Sequence, residues 1–565
     1  MDPANKEMSG DGDLAANRAA PIARRVLIIG LDGATLDVLR PLMEEGRLPR
    51  LSDVVERGAS GVLHSTTPPI TPAAWTTFLT GRQPGSHGII DFERFDPHTN
   101  RLTFNSTLSI AHVRNLWTIL GEHNLKVGSI GVPMTFPATP INGFLVSGFE
   151  TPGVDSNFVF PAALKDVILA RWPDPILKTS WKRRLLGGNR LFARNVDYMA
   201  RSFHQCAEMT TFLGDRQGWD VLMVVLKLVD NLQHKTWKHI DPRWRDDNPT
   251  RRDIVKACFA EMDAAVGTLL DYARRHEAAV LIVSDHGHGS LEGKIQPNLL
   301  LKRWGYLTLV GGGSQAATTG RHRWDRLRGR TKRFAREGDV THDLAVDFSR
   351  TRACVMHAGM AGFLYVNLAG RQPTGIVSPE DYEALREELR DRFLGSECQT
   401  MTPDGLAVRL FSAVHKPEEL WNCRREAQPW MPDLILMPHA SLAVVRRIRG
   451  QSPIHWLPDR RIEGTHRPEG VFFALGPGIA VRRDVDAGLA DCAPTVLAML
   501  GLPVPEDMEG RVLSELFQGP LAVKRAAAAQ VESPASVRLD AAAPAYSEAE
   551  LQRVTERLSD LGYLE

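Results

Sequence analysis

Apolar residues along this chain fall into short β-branched runs that close on acids or histidines, with stretches of helical spacing between them. Val26–Gly30 is the first run. It is continuous rather than alternating, as expected of a parallel strand buried on both faces, and Asp32 follows at its carboxyl end. Ala59–Leu63, Lys126–Gly131 and Gly143–Gly148 predict further strands, and Val221–Val229, interrupted by Lys227, predicts one that ends at Asp230. Ala279–Val283 runs into Ser284-Asp285-His286, Asp433–Met437 is a late strand, and Val471–Leu475 follows the loop Glu463–Pro468. Thr35–Glu45 reads as a helix. Ile254, Val255, Cys258, Phe259, Met262, Val266, Leu269 and Leu270 recur at the spacing of an amphipathic helix that faces the sheet. Tyr382–Leu394 and Ala493–Leu500 add two more helices, the second closed by Gly501 as a C-cap. This alternation predicts an α/β fold with three layers, helices on both faces of a mostly parallel sheet.

In such sheets, ligand groups collect at the carboxyl ends of the strands. Asp32 and Asp285-His286 stand at such ends. Asp230 and His234, four apart, share one face if Asp230 opens a helical turn. Thr71 precedes Pro72, a residue favoured at the first helical position, which predicts Thr71 as the N-cap of a helix carrying Trp75, Phe78 and Leu79. A hydroxyl there sits at the positive end of the helix dipole. Alone, Thr-Pro reads as an ordinary cap. Together with the acids and histidines it offers a nucleophile among metal ligands. A lone His466 in a loop is ordinary in the same way and gains meaning from the set.

The segmentation follows from composition. Residues 1–22 read as a disordered leader, 23–518 as one catalytic domain, 519–545 (rich in Ala, Pro and Ser) as a linker, and 546–565 as a terminal helix capped by Ser547 with Glu550 in capping-box position. Two less regular blocks, about 155–215 and 300–430, read as insertions that cap the site. The second contains Arg321–Arg336, with eight Lys/Arg and one Asp, a solvated loop or a surface for anionic contacts.

The 565 residues suffice for a large core, and 43% hydrophobic with 24% charged residues is ordinary for a globular protein. A net charge of +1 gives no argument for a nucleic-acid duplex as partner. Six cysteines with no CxxC pair suit reduced thiols. Met1 to Ala20 has no apolar segment of the secretory kind, and no run reaches the roughly 18–20 apolar residues of a membrane span. The expectation is a cytoplasmic enzyme without a transmembrane segment. Oligomeric state is not legible.

The ordered set Leu31-Asp32-Gly33, Thr71 with Thr80-Gly81…Pro84…His87-Gly88, Asp230…His234, Ser284-Asp285-His286-Gly287 and Gly464-Thr465-His466 resembles the alkaline phosphatase superfamily. It is most similar to the type I phosphodiesterase/nucleotide pyrophosphatase branch, and within it to a bacterial predicted phosphohydrolase/phosphomutase group. Val132–Pro137 and the C-terminal Leu558…Leu561-Gly562-Tyr563-Leu564 carry the same likeness. The resemblance spans roughly residues 25–565. It implies an alkaline-phosphatase-like core and two divalent metals, usually zinc. One metal would be held by Asp230, His234 and His466, the other by Asp32, Asp285 and His286, with Thr71 reaching between them. Mixed imidazole and carboxylate donors suit zinc, with manganese or iron as alternatives. Two metals about 4 Å apart stabilise both the entering and leaving oxygens of an in-line displacement.

The implied reaction is hydrolysis of a small phosphoric ester, nucleotide-like or phospholipid-derived, through a phosphothreonine on Thr71. Same-class alternatives are a phosphomutase and a phosphomonoesterase. A different class, an inactive member that binds a phosphorylated ligand or a protein, would normally have lost a ligand, and here all are present. Two positions depart from the family. Animal nucleotide pyrophosphatases carry Asn three residues after the nucleophile, where this chain has Ala74, and His288 replaces a residue that is usually apolar. His288, Lys227 and Arg82 are therefore the candidates for holding phosphate oxygens. Thr71–Trp75 lacks the Cys or Ser and the following Arg of a sulfatase.

Overall fold

The fully apolar run Val26–Gly30 (β1) forms the middle of a nine-stranded sheet, with every residue buried. In chain order the other strands are β2 (Ala59–His64), β3 (Val127–Val132), β4 (Gly143–Ser147), β5 (Val159–Phe160), β6 (Val221–Val225), β7 (Ala279–Val283), then, after a separate ladder of β8 (Gly287–Leu291) with β9 (Glu463–Arg467), β10 (Glu469–Leu475) and β11 (Arg482–Gly488). Across the sheet the order is β11-β2-β10-β7-β1-β6-β3-β4-β5. The central β7-β1-β6-β3-β4 block is parallel, as is β2 with β11, while β10 and β5 pair antiparallel. The sheet is mostly parallel, as its continuous apolar strands predict. The computed structural model describes residues 19–175, 188–241, 243, 248–310, 345–421, 423, 428–527 and 545–561.

The alternating side chains of the strands supply both faces. Val26, Ile28, Val221, Met223, Val225, Ala279, Leu281 and Val283 join one apolar cluster with Trp75, Phe78, Trp117, Val496 and Leu497. That cluster draws in three helices, Thr71–Thr80, Leu116–Glu122 and Cys492–Met499. The long helices Gly188–Gln217 and Pro249–Arg275 pack along one another and against the sheet. Of the latter, Val255, Phe259, Met262, Val266 and Leu269 are buried, the face its spacing marks out. Among the described residues, no helix is long and apolar enough to cross a membrane.

The chain divides into two units. The larger takes in residues up to Phe92, Asn105–Leu291 and those from Pro458 on, and holds the nine-stranded sheet. The smaller comprises Glu93–Phe104 and Glu292–Leu457. It contains a four-stranded antiparallel sheet of Ala353–His357, Gly362–Val366, Leu434–Pro438 and Phe411–His415, and the helix Pro379–Leu394. Its buried Asp433 is matched by Arg371 at 2.7 Å.

Several local readings change. The described part of residues 155–215 holds a helix at Leu164–Arg171 and most of the 30-residue Gly188–Gln217. Its apolar face is spread over eight turns and interrupted by charges, which hides it from a short window. Part of the Ala/Pro/Ser-rich stretch is structured, because Arg525–Ala526 pairs in parallel with Val504–Pro505. Ser547 and Glu550 form the reciprocal capping contacts expected at the start of Glu548–Leu561. The basic stretch Arg321–Arg336 and Trp181–Arg184 lie outside the described residues.

One long-range cap ties the helical layer together. The helix Pro49–Arg57 begins at Leu48, which has no capping side chain. Asp263, buried on Pro249–Arg275, accepts hydrogen bonds from Arg50 N at 2.9 Å and Leu51 N at 2.8 Å. Asp263→Ala should therefore destabilise the fold by about 1–2 kcal/mol, with Asp263→Asn intermediate, read as urea unfolding midpoints. An Ala variant with an unchanged midpoint would remove this role.

Candidate metal centre

The seven residues singled out in the sequence come from five separate stretches, and the fold gathers them in the larger unit. β1 ends at Gly30, and Asp32 stands just beyond it, fully buried. Trp75 Nε1 donates to Asp32 Oδ2 at 3.0 Å. A Cβ on Gly30 would lie 2.6 Å from the Trp75 ring, so the glycine is what admits the indole. Asp285 and His286 follow β7 directly. Gly33 N donates to Asp285 Oδ1 at 3.0 Å, which ties the turn after β1 to the turn after β7.

Three placements differ from expectation. β6 stops at Val225 instead of running to Val229, and the helix Leu228–Thr236 begins before Asp230. Asp230 thus sits in a first helical turn with His234 one turn on, the relation that lets both side chains share a face. Thr71 is the first residue of its helix, and Ile70 rather than Thr71 stands at the cap position. Thr71 Oγ1 lies 3.3 Å from His286 Nε2. His466 is on a strand rather than in a loop. β9 pairs antiparallel with β8, and His466 stands opposite His288.

Asp230 Oδ1 is the meeting point of three imidazoles, with His234 Nε2 at 3.1 Å, His288 Nε2 at 3.4 Å and His466 Nε2 at 3.5 Å. His234 and His466 Nε2 are 3.0 Å apart. The second grouping is Asp32, Asp285, His286 and Thr71. His286 Nε2 is 3.4 Å from Asp285 Oδ2 and 4.0 Å from Asp32 Oδ1. Lys227 joins the two: its Nζ donates to Asp32 Oδ1 at 2.9 Å and Asp230 Oδ2 at 2.5 Å, from a position over the Phe149 ring. Lys227 is thus a counter-ion between two buried carboxylates. Arg82, the other candidate for holding phosphate oxygens, is ion-paired with Asp507.

The electrostatics call for a cation. Asp32, Asp230 and Asp285 are all 0% exposed, and Lys227 is the ammonium hydrogen-bonded among them, which leaves two negative charges in excess when the acids are ionised. Burial pushes Asp285 up to about 7 and Asp32 well above the usual carboxylate range, with Asp285 adding to the effect on Asp32. Burial opposes ionisation of Asp230 too, but His234 and Lys227 outweigh it and hold Asp230 well below the ordinary value. Burial holds His286 down at about 3, and His288 and His466 well below their usual range. Neutral imidazoles with free lone pairs are what metal coordination requires. Asp285 Oδ2 is buried and has no hydrogen-bond partner, as expected of an oxygen reserved for a metal. The donor set fits divalent ions in two groups, Asp230 with His234, His288 and His466, and Asp32 and Asp230 with His286.

A family model described as type I phosphodiesterase / nucleotide pyrophosphatase matches residues 26–469, which takes in the whole cluster from Asp32 to His466. No curated protein sequence matches the chain. Among solved structures, human ectonucleotide pyrophosphatase / phosphodiesterase 5 is similar at 12% identity and a TM-score of 0.49, covering 88% of this chain and 100% of that one. An inactive form of the murine protein in complex with AMP gives 12% identity, a TM-score of 0.46, and coverage of 85% and 95%. Phosphonoacetate hydrolase from Sinorhizobium meliloti, in complex with phosphonoformate, gives 14%, 0.49, and coverage of 84% and 95%.

Proton competition at Asp285 has a measurable sign. Below about 7 its proton must leave before the carboxylate can bind a cation. Affinity for added divalent metal should rise with pH through about 7, with protons released on binding below that point. Calorimetric titration in buffers of different ionisation enthalpy reads both. An affinity that is flat from pH 5 to 8 would contradict the assignment, and Asp285→Asn should abolish the step.

Proposed function

The chain belongs to the type I phosphodiesterase/nucleotide pyrophosphatase family, hydrolases of phosphoric ester bonds in the alkaline phosphatase superfamily, and on that premise we propose that it cleaves a phosphodiester with Thr71 as nucleophile. The observation that carries this reading is the position of Thr71: fully buried at the start of a helix, its hydroxyl 3.3 Å from Nε2 of His286, which itself lies 3.4 Å from Asp285 Oδ2 and 4.0 Å from Asp32 Oδ1. Asp230, His234 and His466 would hold one metal and Asp32, Asp285 and His286 the other, with zinc the best match to the donors. When bound, such ions supply Lewis-acid stabilisation of charge on the phosphoryl oxygens.

The chain's own residues account for the remaining steps. His286 Nδ1–H donates to the Gly287 carbonyl at 3.0 Å, which leaves Nε2 facing the Thr71 hydroxyl. Thr71 Oγ1 attacks phosphorus as the P–O bond to the leaving group breaks, and the proton given up by Thr71 ends on the departing oxygen, which leaves as the alcohol. Water then attacks the phosphothreonine from the side the alcohol left, and Thr71 regains its proton. The positive end of the Thr71–Thr80 dipole favours the oxyanion on Thr71 and the phosphate beside it. Ala74 contributes no donor, since its methyl is buried within the same helix. The substrate class is a small nucleotide-like or phospholipid-derived diester.

Thr71→Ala should lower turnover of bis-p-nitrophenyl phosphate by at least about 10³-fold, whereas Thr71→Ser should retain part of it. Chelation should abolish turnover of the wild type and added zinc restore it. Normal turnover by Thr71→Ala would sink the covalent route. Cleavage of p-nitrophenyl phosphate alone, without the diester, would assign a monoesterase.

A further inference from the structure

His288 stands apart from the ligands expected of the family, yet it is built like them. Every imidazole of the cluster points one nitrogen at a backbone carbonyl. His234 Nδ1 meets Gly464 O at 2.8 Å, His466 Nδ1 meets Pro69 O at 2.8 Å, and His286 Nδ1 meets Gly287 O at 3.0 Å. His288 Nδ1 meets Gly33 O at 2.9 Å. Such a bond fixes the tautomer with the proton on Nδ1 and turns the Nε2 lone pair inward, as is usual for metal-ligating histidines. His288 Nε2 is buried, has no hydrogen-bond partner, and lies 3.4 Å from Asp230 Oδ1.

We propose that His288 is the fourth ligand of the metal held by Asp230, His234 and His466. This half of the site then has four protein donors, and the half at Asp32, Asp285 and His286 has three beside Thr71. The inference rests on the two-metal reading above and adds a residue to it. Four tetrahedral donors about 2 Å from a common ion stand roughly 3.3 Å apart. Four of the six separations are 3.1, 3.4 and 3.5 Å from Asp230 Oδ1 to the three Nε2 atoms and 3.0 Å between His234 and His466 Nε2, and all four donors lie within 4.8 Å of one another. A histidine that merely filled the core would leave a buried Nε2 without a partner, which is unfavourable.

The ring's seat is shaped for it. A Cβ on Gly33 would lie 2.7 Å from His288 Cε1, and one on Gly464 would lie 3.0 Å from its Cδ2. Trp237 stacks on the ring at 6.1 Å between centroids and 27°. The β8–β9 ladder puts His288 directly opposite His466, where facing side chains project to the same side. Closed four-ligand zinc sites hold their ion firmly, and catalytic ones keep a position open. The first equivalent of metal therefore fills the Asp230 half.

The test uses the full chain, stripped of metal and given one equivalent of zinc. X-ray absorption fine structure should count three imidazoles on that zinc in the wild type and two in His288→Ala. Chelator competition should show the first equivalent bound at least about 10-fold more weakly in the variant, with the metal-free unfolding midpoint compared as a check on folding. Two imidazoles or one in the wild type, or unchanged affinity in the variant, would overturn the proposal and leave the two-metal reading standing. The wild-type count decides the matter even if His288→Ala does not fold. A wild type that takes up no zinc would bring down the two-metal reading itself, and this inference with it.

Discussion

Three carboxylates buried within one cluster, with a single ammonium hydrogen-bonded among them, set the constraint that the rest of the larger unit answers to. An uncompensated buried charge costs several kcal/mol, so Asp32, Asp230 and Asp285 must each be supplied with donors or a counter-ion. The donors come from far apart in sequence. Trp75 serves Asp32 across 43 residues, Gly33 N serves Asp285 across 252, and Lys227 serves Asp32 across 195. These contacts fix the ends of β1, β6 and β7 and the start of the Thr71 helix relative to one another. Packing alone would hold the strands; the buried acids determine what their carboxyl ends present.

The parallel sheet makes this arrangement possible. Neighbouring parallel strands β7, β1 and β6 deliver their carboxyl ends to the same edge, so the segments that follow them converge. Close approach is then limited by backbone and side-chain bulk, which is why the glycines matter here. Gly30 admits the Trp75 indole, and Gly33, at φ +69°, both donates to Asp285 and leaves room for His288. The β8–β9 ladder completes the site from outside the sheet, bringing His466 to Asp230 from 236 positions further along the chain.

Much of this was legible in the sequence because it is carried by local pattern. Continuous apolar strands ending on Asp32 and on Asp285-His286 identify both the sheet and its functional edge, and the four-residue spacing of Asp230 and His234 identifies a shared helical face. What was not legible depends on tertiary pairing. His466 looked like a loop residue because β9 is five residues of Glu, Gly, Thr, His and Arg, which carry no apolar alternation. Its strand exists because β8 pairs with it. Lys227 looked like an interruption in a strand because one partner, Asp32, lies 195 residues away and the other, Asp230, stands on a helix that begins where the strand was expected to run on. Its neighbours are buried in the core, and only the fold reveals that the charge is matched. His288 was noticed as a departure from the family, but its orientation depends on a carbonyl 255 residues away. An H-x-H spacing among glycines, His286-Gly287-His288-Gly289, was the available signal. The smaller unit escaped notice because its strands are short and mostly antiparallel and one of its hairpins, Glu93–Phe104, lies far from the rest in sequence.

Lys227 couples the two halves of the cluster. Its ammonium binds one oxygen of Asp32 and one of Asp230, a carboxylate from each half. Burial alone would lower Lys227, but Asp230, Asp32 and Asp285 outweigh it and raise it above the ordinary lysine value, so the charge stays in place. By taking Asp230 Oδ2, it leaves Oδ1 to face the three imidazoles. By taking Asp32 Oδ1 while Trp75 takes Oδ2, it fixes the plane of that carboxylate. The two halves are therefore tied together: a shift in the turn between β6 and the Leu228–Thr236 helix would move a contact to a carboxylate of each. That coupling explains why a long, flexible, strongly hydrated side chain is held fully buried in a site otherwise built from short and rigid ones.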